Sequence, residues 1–591
     1  MVRKMIELQP LAVFYGPNPY SRLPVIVNTL QLEIDLYPNA ERMHLKLLER
    51  YPEWLERPPD FVQSTVQGLA NALVLWAQKA LNEVRGCVEV AGVRVKENGA
   101  LLWLGFHDPE VSREALNLAL QASLDDFSID AAQDRLTRFW EICRRRHPDY
   151  QARILIQAAE ANDVPWRLLV RGGRHWQFGW GKRSRIFFES ASNEDGSIGS
   201  RISGDKAASK ALFATLGIPT PTHRLVQEES ELKKAIRGIG YPCVIKPLNG
   251  GGGKGVSAGI INLEELRRGF LNARRYSDGP LMVEAFVYGD DHRLMVINGR
   301  LTHAIRREAS FLVGDGTSRI FDLLDILNAQ RSINIVKSRY LQQIPTDNIL
   351  LQHLEKQGVD LRTVLKLGQK ITLRSNANLS TGGICTDVTE HLHPDTRLLA
   401  ESLASSMGLM TAGLDFITTN IEKSCSETGE FIEINTTPGL SAMISAGSDP
   451  IEIGRQVLGS TPGRIPIMMV VVTSDKLQTA KDWFQARTWS RDTGFTCAKH
   501  ASLGGVNLHI SDIRHWSAVH ALLHHQTLAS LWILCEESEL FRWGLPVDQL
   551  EKTWLCGITL PNAWQDVVAK FSLEIESLGS WTNLAAEDML S

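Results

Sequence analysis

The 591-residue chain has no apolar stretch long enough to span a bilayer, and its formal net charge is only −4. The first absence excludes a membrane-crossing helix read from hydropathy. The second leaves no global attraction for nucleic acid or an anionic lipid surface. Eight cysteines are scattered without a Cys-x-x-Cys pair, which points to reduced thiols rather than a zinc site or a disulfide frame. The opening "MVRKMIELQPLAVFYG" has basic residues but no clean apolar core ending in small ones, so no signal peptide is expected. Heptads, short repeats and low-complexity tracts are also missing. These absences describe a soluble, cytoplasmic chain with neither a nucleic-acid nor a membrane partner.

What is present is 43% apolar residues, enough for ordinary cores in roughly two to four domains. The expected class is multidomain α/β and α+β, in three parts. Residues 1–160 mix strand-like runs with the helical pattern "FVQSTVQGLANALVLWAQKALNEV", in which Leu69, Leu73, Trp76, Ala80 and Leu81 share a spacing. Residues 161–460 are dense in glycine motifs. Residues 461–591 open on an apolar strand and then carry no catalytic punctuation.

The middle part holds "YPCVIKPLNGGGGKGVSAG", residues 241–259. This is not the common P-loop, because Gly255 and Val256 follow Lys254 where a magnesium-binding hydroxyl should stand. The pattern reads instead as strand, glycine turn, strand. Such a hairpin can lay the N–H groups of Gly251, Gly252 and Gly253 over phosphates, with Lys246 and Lys254 adding charge. A merely flexible loop is the other reading of a glycine run alone.

Downstream, "LMVEAFVYGDDHRLMVINGRLTHAIRRE" reads as three strands, with Asn298-Gly299 as a hairpin turn. Glu284 ends the first strand and can contact a nucleotide. Arg293 would face a carboxylate or phosphate, while His292 reads as structural. In "LDFITTNIEKSCSETGEFIEINTTPGL", Glu433 and Asn435 lie two apart on a strand and so share a face, and Asp415 on the preceding strand can converge with them. Two carboxylates and an amide oxygen make a hard shell with room for phosphate oxygens, which suits magnesium. Between these segments, "LRSNANLSTGGICTD" concentrates Arg374, Asn378, Ser380, Thr381, Gly382 and Gly383 into a candidate anion nest. The segment "ESASNEDGS" reads as a solvated acidic loop.

In order and spacing, "GDKAASKALFATLGIPTP", "VIKPLNGGGGKGV", "VEAFVYGDDHRLMVINGRL", "VGDGTSRIFDLLDILNA", "LRSNANLSTGG" and "FIEINTTPGL" resemble cyanophycin synthetases, which are ATP-grasp ligases. "YGPNPYS" and "QFGWGKRSRIF" extend the likeness weakly into the N-terminal part, associated in that family with holding the polymer. The helix in the first motif is also legible physically: Asp205 can cap it, Gly217 suits its end and Pro219 stops it. One departure lies in the glycine loop, where many relatives have an Asn-His pair and an arginine in place of Gly251, Gly252 and Lys254.

The resemblance implies ATP and Mg2+ as cofactors, and amide formation through an acyl phosphate of a growing chain's C-terminal carboxylate. It gives Lys206 and Lys246 to phosphates, Glu284 to the nucleotide, and Asp415, Glu433 and Asn435 to magnesium. Arg293, Arg374, Asn378, Ser380, Thr381 and Gly382 go to the reacting carboxylate. No Ser-His or Cys-His pair is needed for such chemistry.

The tail adds one more reading. Cyanophycin synthetases of the first type continue into a Mur-ligase-like domain with its own P-loop, but here Thr473-Ser474-Asp475-Lys476-Leu477-Gln478 stands in that place. The glycines that wrap a phosphate are gone, and Asp475 would repel one. The expectation is a truncated, structural remnant and hence the second type of synthetase, joining β-aspartyl-arginine dipeptides into cyanophycin as a homodimer. A ligase making a small capped dipeptide, or a non-catalytic ATP-binding homologue, stays open as an alternative.

Overall fold

The computed structural model describes residues 6–32, 37–51, 65–97, 99–124, 129–170, 172–249, 253–333, 343–374, 377, 379, 382–460, 462–511 and 516–584. The chain forms two compact units, Met1–Ile186 with Ser460–Ser591, and Phe187–Gly459. Residues 161–186, grouped with the middle part in the sequence reading, therefore belong to the unit built from both chain ends. No helix among the described residues is long and apolar enough to cross a membrane.

In the first unit, four antiparallel strands run in the order Ile6–Phe14, Val25–Leu32, Gly99–Gly105, Ala91–Lys96. The helix Thr65–Glu83 packs against them because Leu69, Leu73, Trp76 and Ala80 recur at helical spacing and are all buried. The C-terminal residues add a seven-stranded sheet whose parallel part is ordered Thr493–Cys497, Ser530–Glu536, Ile467–Val472, Leu550–Cys556, Ser572–Leu578, with His500–Leu503 and Val506–Asn507 antiparallel at its Thr493–Cys497 edge. "IMMVVV" occupies the centre and is buried on both faces, as a continuous apolar run in a parallel sheet must be. The apolar strand expected at the start of the tail is present as Ile467–Val472, and the loop Thr473–Lys476 leads from it into the helix Leu477–Gln485. One core joins the two ends of the chain: Phe14, Val25, Val27, Leu101 and Trp180 pack with Ile465, Ile467, Met469 and Leu531.

All fifteen tryptophans fall in this first unit, and residues 187–459 contain none.

Beside a two-stranded sheet formed by Phe311–Val313 and Lys370–Thr372, the second unit carries two main antiparallel sheets. The smaller runs Ser257–Ile260, Cys243–Pro247, Leu281–Ala285, His223–Val226. The larger runs Ile384–Asp387, Arg300–Glu308, Asp290–Ile297, Thr411–Thr418, Gly429–Asn435. The three strands expected at 281–308 are present, and Asn298 and Gly299 both take positive φ (50° and 74°), the requirement of a tight hairpin turn. Asp205 caps the helix Lys206–Thr215 by accepting from the N–H groups of Ala207 and Ala208, and Gly217 closes its end at φ 71°.

Candidate functional site

Both main sheets of the second unit contribute to one cavity of about 390 Å³. The smaller sheet supplies Lys246 and Glu284 from adjacent strands, and the glycine turn supplies Gly253 and Lys254. Gly253 has φ 76° and Gly255 φ 74°, a conformation that side chains rarely adopt, which explains glycine at both. The larger sheet supplies Asp291, Arg293, Arg307, Asp415, Glu433 and Asn435, and the capped helix presents Lys206. Five cations and four carboxylates thus line one space. Its remaining wall is apolar, with Val244, Phe286 and Ile432 among its members.

Cross-strand register explains the convergence. Asp415 stands opposite Glu433 and Gly413 opposite Asn435, so the three expected metal-binding residues meet on one face. Each keeps one oxygen without a protein partner among the described residues. Oδ1 of Asp415 accepts from Arg307 at 3.1 Å and lies 2.8 Å from Arg293 Nε as an ion pair, leaving Oδ2. Glu433 Oε1 lies 3.3 Å from Lys206 Nζ, leaving Oε2. The Asn435 amide nitrogen is 3.4 Å from the Gly413 carbonyl, leaving its oxygen. This donor set fits a hard divalent cation whose shell is completed by phosphate oxygens. Among the described residues no three His, Cys, Asp or Glu side chains group into a self-sufficient metal site.

The charges are ordered in two groups. Glu284, 4% exposed, is held by Lys246 and by Lys210, whose Nζ lies 3.0 Å away. Burial alone would push the Glu284 carboxyl up, but the two ammonium groups outweigh it and hold it below the usual range. Burial pushes Lys210 down, and neighbouring Lys246 adds to that. In the second group Asp291, Arg307, Asp415 and Arg293 alternate in sign, with Arg307 2.7 Å from Asp291. Burial opposes the Arg307 charge, yet Asp415 and Asp291 together raise its pKa.

Several expected residues are placed elsewhere. Arg374 is 2% exposed and spends its guanidinium on Asp347 (2.8 Å) and the Pro345 carbonyl (2.7 Å), so it does not line the cavity. Gly382, at φ 89°, gives its carbonyl to Arg331 and also lies outside the lining. Asn378, Ser380, Thr381, Gly251 and Gly252 lie outside the described residues. His292 is buried against the Asp290 carbonyl, in keeping with a structural part. In the acidic loop, Asp195 caps the N–H groups of Ser192 and Met410.

Sequence reasoning missed Lys210, Asp291 and Arg307. Lys210 was detectable, being one helical turn beyond Lys206 on the same face. Arg307 was hidden by a bulge between Met295 and Val296, which shifts the hairpin register and sets Asp291 opposite Arg307 rather than Arg306.

The ATP-grasp domain family matches residues 211–298. The chain is 33% identical over 336 residues to the cyanophycin synthetase of Synechocystis sp., covering 55% of this chain and 38% of that one. To the cyanophycin synthetase of Geminocystis herdmanii it is 30% identical over 407 residues, covering 67% and 46%. A bifunctional glutathione biosynthesis protein of Streptococcus mutans is 29% identical over 247 residues, 40% of this chain and 32% of its own. The chain thus spans less than half the length of the curated relatives it matches. Among solved structures, a bifunctional glutathione synthetase from Pasteurella multocida aligns with TM-score 0.41 and 15% identity over 74% of this chain and 82% of that one.

Proposed function

Because this chain is a homologue of cyanophycin synthetases and carries an ATP-grasp domain, we propose that it is an ATP-dependent carboxylate–amine ligase that joins β-aspartyl-arginine dipeptides into cyanophycin. The observation that carries the reading is the cavity in which five cations face a two-carboxylate, one-amide oxygen set beside an apolar wall. The apolar wall suits a nucleobase, Lys246 and Lys254 suit its phosphates, and the free oxygens of Asp415, Glu433 and Asn435 would hold Mg2+. Magnesium bound there would neutralise the phosphate charge during transfer.

In the first step an oxygen of the polymer's terminal carboxylate attacks the γ-phosphorus, and the bond to the bridging oxygen of ADP breaks. In the second, the α-amine of an incoming dipeptide attacks the acyl carbon of that acyl phosphate. The tetrahedral intermediate collapses with loss of inorganic phosphate, and the nitrogen sheds one proton. Arg293 and Arg307, held in place by Asp415 and Asp291, stabilise the negative charge that develops on oxygen. No side chain forms a bond to substrate, so the protein acts through positioning and charge.

The dipeptide rather than free amino acids is the proposed building block. Thr473–Lys476 stands where a second phosphate loop would lie, and its sequence lacks the necessary glycines. One ATP site activates one kind of carboxylate, so the side-chain amide must arrive already made. The unit Phe187–Gly459 is proposed to catalyse, the N-terminal part of the other unit to hold the polymer, and residues 461–591 to serve structurally.

Purified protein given ATP, Mg2+, a cyanophycin primer and the dipeptide should release phosphate and lengthen the primer. Free aspartate plus arginine should support neither, and Glu433→Gln should lose most of the release. Elongation from the free amino acids would overturn the substrate assignment.

A further inference from the structure

The first unit contains a cavity of about 880 Å³ that shares no residue with the candidate ligase site. Aromatic rings dominate one part of it: Trp166 and Trp176 stand 5.7 Å apart, and Phe106 packs edge-on to Tyr15 at 5.6 Å. Three lining residues keep a polar atom away from water with no partner among the described residues. The Trp166 indole lies close enough to Glu160 to favour its ionised form, but Glu160 Oε2 has no hydrogen-bond partner. The Trp176 indole nitrogen has no acceptor. In His107, Nε2 accepts from the Cys87 N–H at 3.2 Å, which puts the ring proton on Nδ1, and that atom too is unpartnered. Orphaned polar atoms of this kind cost free energy unless something satisfies them. The same cavity is lined by Arg22 and Arg167, neither of which forms an ion pair with a described carboxylate. Arg464, by contrast, is fully engaged by Asp163 and Asp548.

We propose that this cavity is a second binding site, for a small zwitterion that carries a flat guanidinium at one end and a carboxylate at the other. A carboxylate between indole faces is the chemistry that recognises a planar organic cation, which can pair with Glu160 and stack on Trp166 or Trp176. Arg22 and Arg167 provide the complementary charge for the ligand's carboxylate. Free arginine and an arginine-bearing dipeptide share this chemistry, and the titrations below separate them.

Burial pushes the Glu160 carboxyl up to about 7; Glu89 adds to this, while the Trp166 indole and Arg22 pull the other way. The unliganded site is therefore half-protonated near neutrality. A guanidinium binds the ionised form, so its affinity should weaken as pH falls below about 7.

The distribution of tryptophan makes a direct test available, since the second unit has none and indole emission reads the first unit. The intact protein, without nucleotide, is titrated with L-arginine, with β-aspartyl-arginine and with citrulline, which replaces the guanidinium by an uncharged urea. Emission and calorimetry are recorded together. Arginine, the dipeptide or both should bind saturably, with citrulline at least about tenfold weaker. Glu160→Gln, an isosteric change, should weaken binding about tenfold or more and abolish its dependence on pH between 6 and 8. Trp166→Phe should weaken it as well. Equal binding of citrulline, unchanged affinity in Glu160→Gln, or no saturation by arginine or dipeptide in either readout would overturn the proposal. None of these outcomes depends on ligase activity.

Discussion

Lys210 Nζ lies 3.0 Å from Glu284 on a carboxylate that Lys246 also holds, so two ammonium groups share one buried anion. The anion is the pivot of the group. Removing it leaves two buried like charges, whereas removing Lys210 leaves one satisfied pair. Glu284→Gln should therefore destabilise the chain more than Lys210→Met, by about 3 kcal/mol or more against about 1–2 kcal/mol. Denaturant unfolding followed by circular dichroism checks the ordering. The reverse order would mean that Lys210 is the structural member. The Glu284 contribution should be complete above the ordinary carboxylate value of 4.5 and disappear as pH falls through its lowered folded value.

Glu539, like Glu160, is pushed up to about 7 by burial, with Glu536 adding to it and a hydrogen bond from the Glu536 N–H opposing it. Its sign is the opposite of Glu284. An unfolded carboxyl ionises above about 4.5, so folding is disfavoured progressively as pH rises from there through 7, by at most about 3 kcal/mol. Glu539→Gln should flatten that part of the stability curve and raise the melting temperature at pH 8 but not at pH 4. Indole emission during thermal unfolding reports the change.

On the proposed ligase reading, Asp415→Asn should lower the apparent affinity for Mg2+ by about 10–100-fold, since it removes one of two carboxylates from the oxygen set. Arg307→Met, which strips a partner from both Asp291 and Asp415, should cut kcat by about tenfold or more. Phosphate release over a magnesium series distinguishes the two, because the first defect is rescued by added metal and the second is not.

Lys476 lies in the loop of the C-terminal sheet, far in sequence from the residues given a part in the chemistry. Lys476→Ala should leave phosphate release with ATP and dipeptide unchanged within about twofold. A loss of turnover in a variant with an unaltered melting curve would give that loop an active part.

Much of the second unit was legible because its signals are local. Asp205 capping, the Asn298-Gly299 turn and the two-residue spacing of Glu433 and Asn435 each act within a few residues, and each appears in the structure. Arg293 was placed in the cavity but not beside Asp415, since strand adjacency within a sheet is set by long-range packing. Arg374 reads as an anion binder in sequence because nothing local reveals Asp347, 27 residues away, as its partner. The bulge at Met295/Val296 leaves no composition signal, yet it decides which arginine meets Asp291. The cavity of the first unit was illegible for the same reason, as its walls come from both ends of the chain.

That shared construction sets an order of events during synthesis. Phe14, Val25, Val27, Leu101 and Trp180 emerge from the ribosome early, but the strands that cover them begin only at Ile467. The N-terminal sheet can bury the apolar cluster around Leu69, Leu73 and Trp76 by itself, while its other face must wait, exposed, until the whole second unit has been translated. Through that interval the apolar face is open to non-native association, and it closes only once the strands from Ile467 onward have been made.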